Sequence, residues 1–221
     1  MKFLIQTING EIKHDFSFAL LESFEYHKQI NDIELEYALT DEKMESKCIP
    51  IGSVEFVCNY MYAYHHLDIK PINIPGELFQ FAKRRIFNGT HKDVDGKMFV
   101  KSNDKIKSIA GIYENVPDGN YQISETIDIR SEWRVFVFNG KIVGLQNYSG
   151  CFDVFPDVKI IQDMVRVYKD GSPAYTLDVA ICDRGTVIVE VHDFFSCGLY
   201  GFSNYKILPY MFSQSFYERL R

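Results

Sequence analysis

No run of about 18 apolar residues occurs in the chain, so no segment reads as a membrane-spanning helix. Near the start, Phe3-Leu4-Ile5 is too short for the apolar core of a signal peptide. Cysteine is sparse: five residues, an odd number, with no CxxC spacing among Cys48, Cys58, Cys151, Cys182 and Cys197. That count argues against a disulfide framework and for a reduced, soluble, cytoplasmic protein. A zinc site would have to gather Cys151, Cys197 and His192 from separate segments, and no ligand spacing marks one. There is no GxxxxGK[ST] phosphate loop, no GxGxxG after a strand and no GxSxG nucleophile elbow. Basic charge is also in deficit, with 24 Lys and Arg against 30 Asp and Glu, a net charge of -6. That balance disfavours broad neutralisation of a nucleic-acid backbone, although Lys83-Arg84-Arg85 and Lys92, Lys97, Lys101, Lys105 and Lys107 form local basic stretches.

What the chain does have is a core. Hydrophobic residues make up 46% and aromatics 15% of its 221 residues, which excludes a disordered chain. The first 74 residues alternate strand and helix. Met1 to Thr7 reads as a strand, a helix starts near Asp15, and residues 33–39 read as a second strand. Pro50 and Gly52 then mark a turn before a helix-like aromatic stretch. Pro71 and Pro75 punctuate an extended connector, with a helix expected after it. From residue 75 to 221 the pattern becomes β-rich and antiparallel, so the fold class is α+β with a small α/β unit in front. Asn139-Gly140 predicts a type I′ hairpin, and the last fifteen residues read as a helix packed by its aromatic face.

The most informative stretch is YTLDVAICDRGTVIVEVHDFF, from Tyr175 to Phe195. Gly185 suits the left-handed position of a tight loop, which sets Asp178 opposite Glu190. The simple alternation puts Leu177, Val179, Ile181, Val187, Val189 and Val191 on one face. Thr176, Asp178, Ala180, Ile188, Glu190 and His192 fall on the other. Like charges on opposed strand positions repel, so these carboxylates need a proton, a basic partner or a hard cation. Magnesium takes one or two carboxylates and leaves its other positions to water and phosphate oxygens. A basic partner for each acid, on a solvated face, is the competing explanation.

Lys101 ends the apolar strand in FVKS, followed by Lys105 and Lys107, and lysines so placed can meet phosphates as point charges. Arg134 shares a strand face with Glu132 across Trp133, and is either paired internally or aimed at an anion.

Taken in order, FVKS, ISETIDIRSEWRVFV, YTLDVAI and VIVEVHD followed by GLYGF resemble the ATP-grasp superfamily. More narrowly they resemble the phage and bacterial clade named for one arginine and two lysines, and IPIGSVEFV and PINIPGEL resemble that clade's N-terminal portion. The resemblance implies a nucleotide clasped between two α+β lobes in residues 75–221. It implies ATP and Mg2+ as cofactors, with Lys101 and Lys107 on the phosphates. Gln122, Ile123, Ser124 and Glu125 would be the linker against adenine, Glu125 on the ribose. Arg134 would face the transferred phosphoryl group, oriented by Glu132. Asp178 and Glu190 would hold the metal, with His192, Asp193 or water as third ligand; relatives often carry Asn where His192 stands. The activity implied is an ATP-dependent carboxylate–amine ligase acting on small-molecule or peptide substrates. A phosphotransferase on the same scaffold and a non-catalytic nucleotide-binding module are the alternatives.

Overall fold

The structure, a computed structural model, describes residues 2–104 and 108–221. Three sheets organise it. The first is parallel, in the order β2-β1-β3, from β1 (Lys2–Gln6), β2 (Glu36–Thr40) and β3 (Cys48–Ile51). Helix α1 (Asp15–Asn31) connects β1 to β2, and α2 (Val54–His65) follows β3. The Ser53 hydroxyl caps α2 by accepting from the Phe56 amide, while α1 ends on Asp32 in the left-handed conformation. Pro50, expected in a turn, lies inside β3. Proline is tolerated there because β3 is an edge strand.

The second sheet is antiparallel, in the order β4-β7-β5-β6: β4 (Ile86–Thr90), β5 (Met98–Ser102), β6 (Ala110–Tyr113) and β7 (Asn120–Glu125). The helix expected before it is one 3-10 segment, Gly76–Phe81. Lys83, at positive φ, turns the chain away from helix, and the basic triplet is engaged within the protein. The Lys83 ammonium donates to the Arg184 carbonyl, Arg84 donates to the carbonyls of Ala82 and Ile188, and Arg85 lies over the Phe87 ring.

The third sheet, also antiparallel, runs β11-β10-β8-β9, from β8 (Ser131–Phe138), β9 (Lys141–Gly150), β10 (Ala174–Cys182) and β11 (Gly185–Asp193). Asn139 and Gly140 both have positive φ, as the type I′ turn between β8 and β9 requires. One face of this sheet packs on α3 (Val158–Val167) and the 3-10 segment through Trp133, Val135, Leu177, Val179, Ile188 and Val191. Each of the fully buried aliphatics among them contributes about 1.5–3 kcal/mol of transfer free energy. Phe136 and Phe194, from the third sheet and just beyond it, join Phe3, Ile5 and Ile51 of the first sheet, with Phe212 of α4 (Leu208–Arg219) closing that cluster. The terminal helix therefore packs as the sequence suggests.

Residues 126–130 cross from the second sheet to the third. They are fixed where the Arg130 amide donates to the Ile181 carbonyl and its carbonyl accepts from the Cys151 amide. At Gly150, φ is +74°, and an added Cβ would press on the Arg130 carbonyl oxygen and sit 2.8 Å from the Ser131 Cα. Gly150→Ala is expected to cost about 1–3 kcal/mol from the backbone conformation alone. Urea unfolding should read this as a lower midpoint at unchanged slope.

Candidate active site

The β10–β11 hairpin closes at Cys182 and Gly185, with Gly185 at φ +82° as its sequence position suggests, and it pairs Asp178 with Glu190. The simple alternation holds only up to that pair. A bulge follows, so that Val179 faces Ile188 and Ala180 faces Val187. A one-residue slip sends each side chain to the other face. Ile188 consequently enters the large core with Leu177 and Val191, while Val187 and Val189 pack with Ala180 and Cys182. The bulge leaves Glu190 and His192 on the face of Asp178, which is where such irregularities re-aim side chains.

Asp178 is 2% exposed and is gripped by Arg134, its cross-strand neighbour on β8. Arg134 Nε donates to Oδ1 and Nη2 to Oδ2, both at 2.8 Å. A third guanidinium bond, from Nη1, reaches the Gly198 carbonyl at 3.1 Å. The guanidinium also lies 5.0 Å from the Tyr200 ring centre and 5.7 Å from that of Tyr148; these two rings stack on each other. Burial alone would raise the Asp178 carboxyl. The hydrogen bonds and charges of Arg134 and His192 outweigh it and hold the group below the usual carboxylate range. For Arg134 burial works against the charge, and Asp178 more than compensates, so the guanidinium is held charged.

Among the described residues, Lys101 and His192 hold Glu190. Lys101 reaches across from β5 of the second sheet, its Nζ 2.6 Å from Oε2, and His192 Nε2 lies 2.5 Å from Oε1. The same His192 nitrogen is 3.6 Å from Asp178 Oδ2. Ligand atoms of Asp178, Glu190 and His192 thus all fall within 4.8 Å of one another. Thr176, paired with His192 and two residues from Asp178 on the same strand face, is fully buried, with no partner for its hydroxyl among the described residues. The carboxylates do have basic partners, but on a face closed by the second sheet rather than a solvated one.

Two further ties close that face. The Gln122 side chain makes a reciprocal pair with the backbone of Ile74, 3.0 Å each way, joining β7 to the connector. The Asn73 carbonyl accepts from the Val191 amide at 2.7 Å, joining the connector to β11. Gln122, Ile123 and Ser124 were expected to offer their backbone to adenine. They form the central strand of the second sheet instead, paired with β4 on one side and β5 on the other, so their amides and carbonyls belong to ladders. Glu125 sits at the strand end, 3.2 Å from Arg184. Glu132 does not pair with Arg134; it accepts from the Tyr148 hydroxyl at 2.7 Å. Asp193 points away from the cluster and is ion-paired with Arg219 of α4, which leaves His192 as the side chain beside the two acids. Lys107 lies outside the described residues.

The sequence reading passed over Tyr148, Tyr200 and Thr176 as site residues. Tyr200 belongs to the GLYGF stretch and Thr176 alternates with Asp178, so both carried a positional signal; Tyr148 carried none until β9 was laid beside β8. Burial, then the nearby Asp178 charge and the bond to Glu132, push the Tyr148 phenol upward, so it stays a donor.

The fold matches those of known proteins over nearly all its length. D-alanine–D-alanine ligase from Bacillus anthracis complexed with ATP superposes with a TM-score of 0.54 at 14% identity, covering 99% of this chain and 97% of that one. N5-carboxyaminoimidazole synthetase from Staphylococcus aureus gives 0.58 at 8% identity, covering 96% and 77%. The ATP-grasp ligase PsnB complexed with minimal precursor, Mg and ADP gives 0.50 at 9% identity, covering 97% of each chain. No curated protein matches the chain by sequence. The model of the ATP-grasp domain, R2K clade family 3, matches residues 32–213. With that match over most of its length and the fold to go with it, the chain belongs to the R2K clade of ATP-grasp domain proteins.

Proposed function

We propose that the protein is an ATP- and Mg2+-dependent ligase that joins a carboxylate to an amine. The observation that carries this reading is the convergence of Lys101, from one sheet, and Arg134, from the other, on Asp178, Glu190 and His192. Such a set neutralises a phosphate chain and carries its own counter-charge when the phosphates are gone. Solved relatives of the same fold are described as binding ATP and, in one case, Mg and ADP.

In this reading ATP lies between the second and third sheets. Residues 126–130, the irregular crossing after β7, take the role of adenine linker in place of Gln122, Ile123 and Ser124, with Glu125 and Glu132 at its two ends. Lys101, and Lys107 by its sequence position, neutralise phosphate oxygens. The donor set suits a divalent cation: two carboxylates and an imidazole have ligand atoms within 4.8 Å of one another, on the face of a buried hydroxyl with no partner among the described residues. Asp178, Glu190 and His192 would hold it, and the cation would supply charge neutralisation for the phosphates. Arg134 has N–H groups beyond the three already bonded, and these can meet the oxygens of the transferred phosphoryl group.

A substrate carboxylate oxygen then attacks the γ-phosphorus, and ADP leaves with the electron pair of the broken P–O bond. The amine attacks the acyl carbon, inorganic phosphate departs, and the nitrogen loses a proton to give the amide. The chain's work is placement and charge neutralisation. Residues 1–74, the N-terminal unit, would shape the acceptor side.

Calorimetric titration with ATP, with and without Mg2+, is expected to show cation-dependent binding. With acid and amine present, ADP, phosphate and an amide should form in equal amounts. Phosphate retained on an acceptor would make the protein a phosphotransferase. Binding without acid- and amine-dependent turnover would make it a nucleotide-binding module.

A further inference from the structure

A cavity of about 250 Å³ opens beside the site, between the N-terminal unit and the end of β11. Its walls come from three segments: Val54 and Cys58 of α2, Ile69 and Ile72 of the connector, and Phe195 just after β11. These faces are apolar. The polar wall is His192, Asp193 and Ser196; the Asp193 charge is met by Arg219, and His192 also touches Glu190 and Asp178, so the cavity runs into the cluster of acids and cations. The connector wall is held in place just after Ile72, where the Asn73 carbonyl accepts from the Val191 amide and Gln122 pairs with the Ile74 backbone. It is therefore a fixed surface and not a loose loop.

At about 250 Å³ the cavity is smaller than the roughly 300–1,000 Å³ of drug-sized ligand pockets, so it suits an occupant smaller than a nucleotide. Charge decides how a small ligand would lie. The far walls offer an anion nothing, whereas the His192 end leads to Lys101 and Arg134. Lys70, exposed at the cavity, adds a cation to its edge and has no ion-pair partner among the described residues. We propose that this cavity receives a carboxylic acid of amino-acid size with a branched aliphatic or aromatic body, the body against Val54, Ile69, Ile72 and Phe195 and the carboxylate at His192. The assignment deepens the ligase reading and rests on it, since there the acid must present its carboxylate to the phosphate site. The N-terminal unit thereby becomes the selector of acid shape.

Methyl NMR on the full chain tests this directly, with isocaproate as probe and its neutral amide, isocaproamide, as control. The expected result is saturable movement of the Ile69 and Ile72 δ-methyl signals with the acid, and binding of the amide weaker by about tenfold or more. Val54→Trp should fill the cavity and abolish the movement, and Val54→Asp should weaken it by setting a charge against the apolar body of the ligand. Both variants should keep the dispersed methyl spectrum of a folded protein. No movement with isocaproate overturns the proposal. Equal affinity for the amide also overturns it, because the cavity would not select an acid. ATP titration of the same samples is read separately: failure of ATP to bind removes the ligase reading, whereas ATP binding with silent methyl signals removes only the cavity assignment.

Discussion

Asp178→Ala is expected to destabilise the protein by about 3–5 kcal/mol, the usual cost of breaking a buried ion pair by deleting one partner. Arg134 would stay behind, 7% exposed, with two of its hydrogen bonds gone and its charge uncompensated. From the sequence alone Asp178 is implied as a metal ligand, a role that by itself predicts lost activity and little change in stability. The bidentate clamp overturns that expectation, so lost activity in Asp178→Ala would not by itself reveal a ligand. Urea unfolding should show the loss, and pairing Asp178→Leu with Arg134→Met should recover most of it, because well-packed apolar replacements of a buried pair are often neutral or better.

The same pair gives a pH prediction. Since the Asp178 carboxyl is held below the usual range in the folded state, its contribution is fully present above the unfolded value of about 3.9. It is lost as pH falls through the lower folded value. The wild type should therefore lose stability on its acid limb in a way the apolar double variant does not share.

Glu190→Gln is the cleaner functional probe and carries the second large effect. The amide keeps the shape of the side chain and can still accept from Lys101, but it loses the charge that a divalent cation requires. Nucleotide affinity in Mg2+ is expected to fall by about 10- to 100-fold, or about 1.4–2.7 kcal/mol. Affinity without Mg2+ should change little, and the unfolding midpoint should stay near the wild-type value. Calorimetry decides the matter: a variant that keeps the full gain from Mg2+ would remove Glu190 from the donor set, and with it the assigned cation site.

Much of the architecture was legible because local chemistry enforces it. Asn139-Gly140 can hardly do anything but turn, since both residues take positive φ. Alternation put Asp178 and Glu190 opposite each other, and the helix beginning at Asp15 stands where it was read. The helix expected after Pro75 was not found as such, because Lys83 and Arg84 are drawn off to carbonyls of the distant hairpin, a partner no local pattern reveals. Helix α3 went unread, although Asp157 caps it by accepting from the Lys159 amide. The bulge after Asp178 was equally hidden. A slip of one residue leaves the composition of β11 unchanged and alters only which side chains are buried.

By itself the sequence determined the residue types of the site and their order along the chain: a lysine ending one strand, an arginine on another, two acids and a histidine on a hairpin. Those are properties of alternation and turn chemistry, which act over a few residues. Tertiary structure alone decided the pairing. Arg134 meets Asp178 because β8 and β10 are neighbours in register, and Lys101 meets Glu190 because the connector fixes one sheet over the other. Charges separated by 44 and 89 positions interact through the distance folding sets, and an exposure of only 2% at Asp178 makes that interaction decisive.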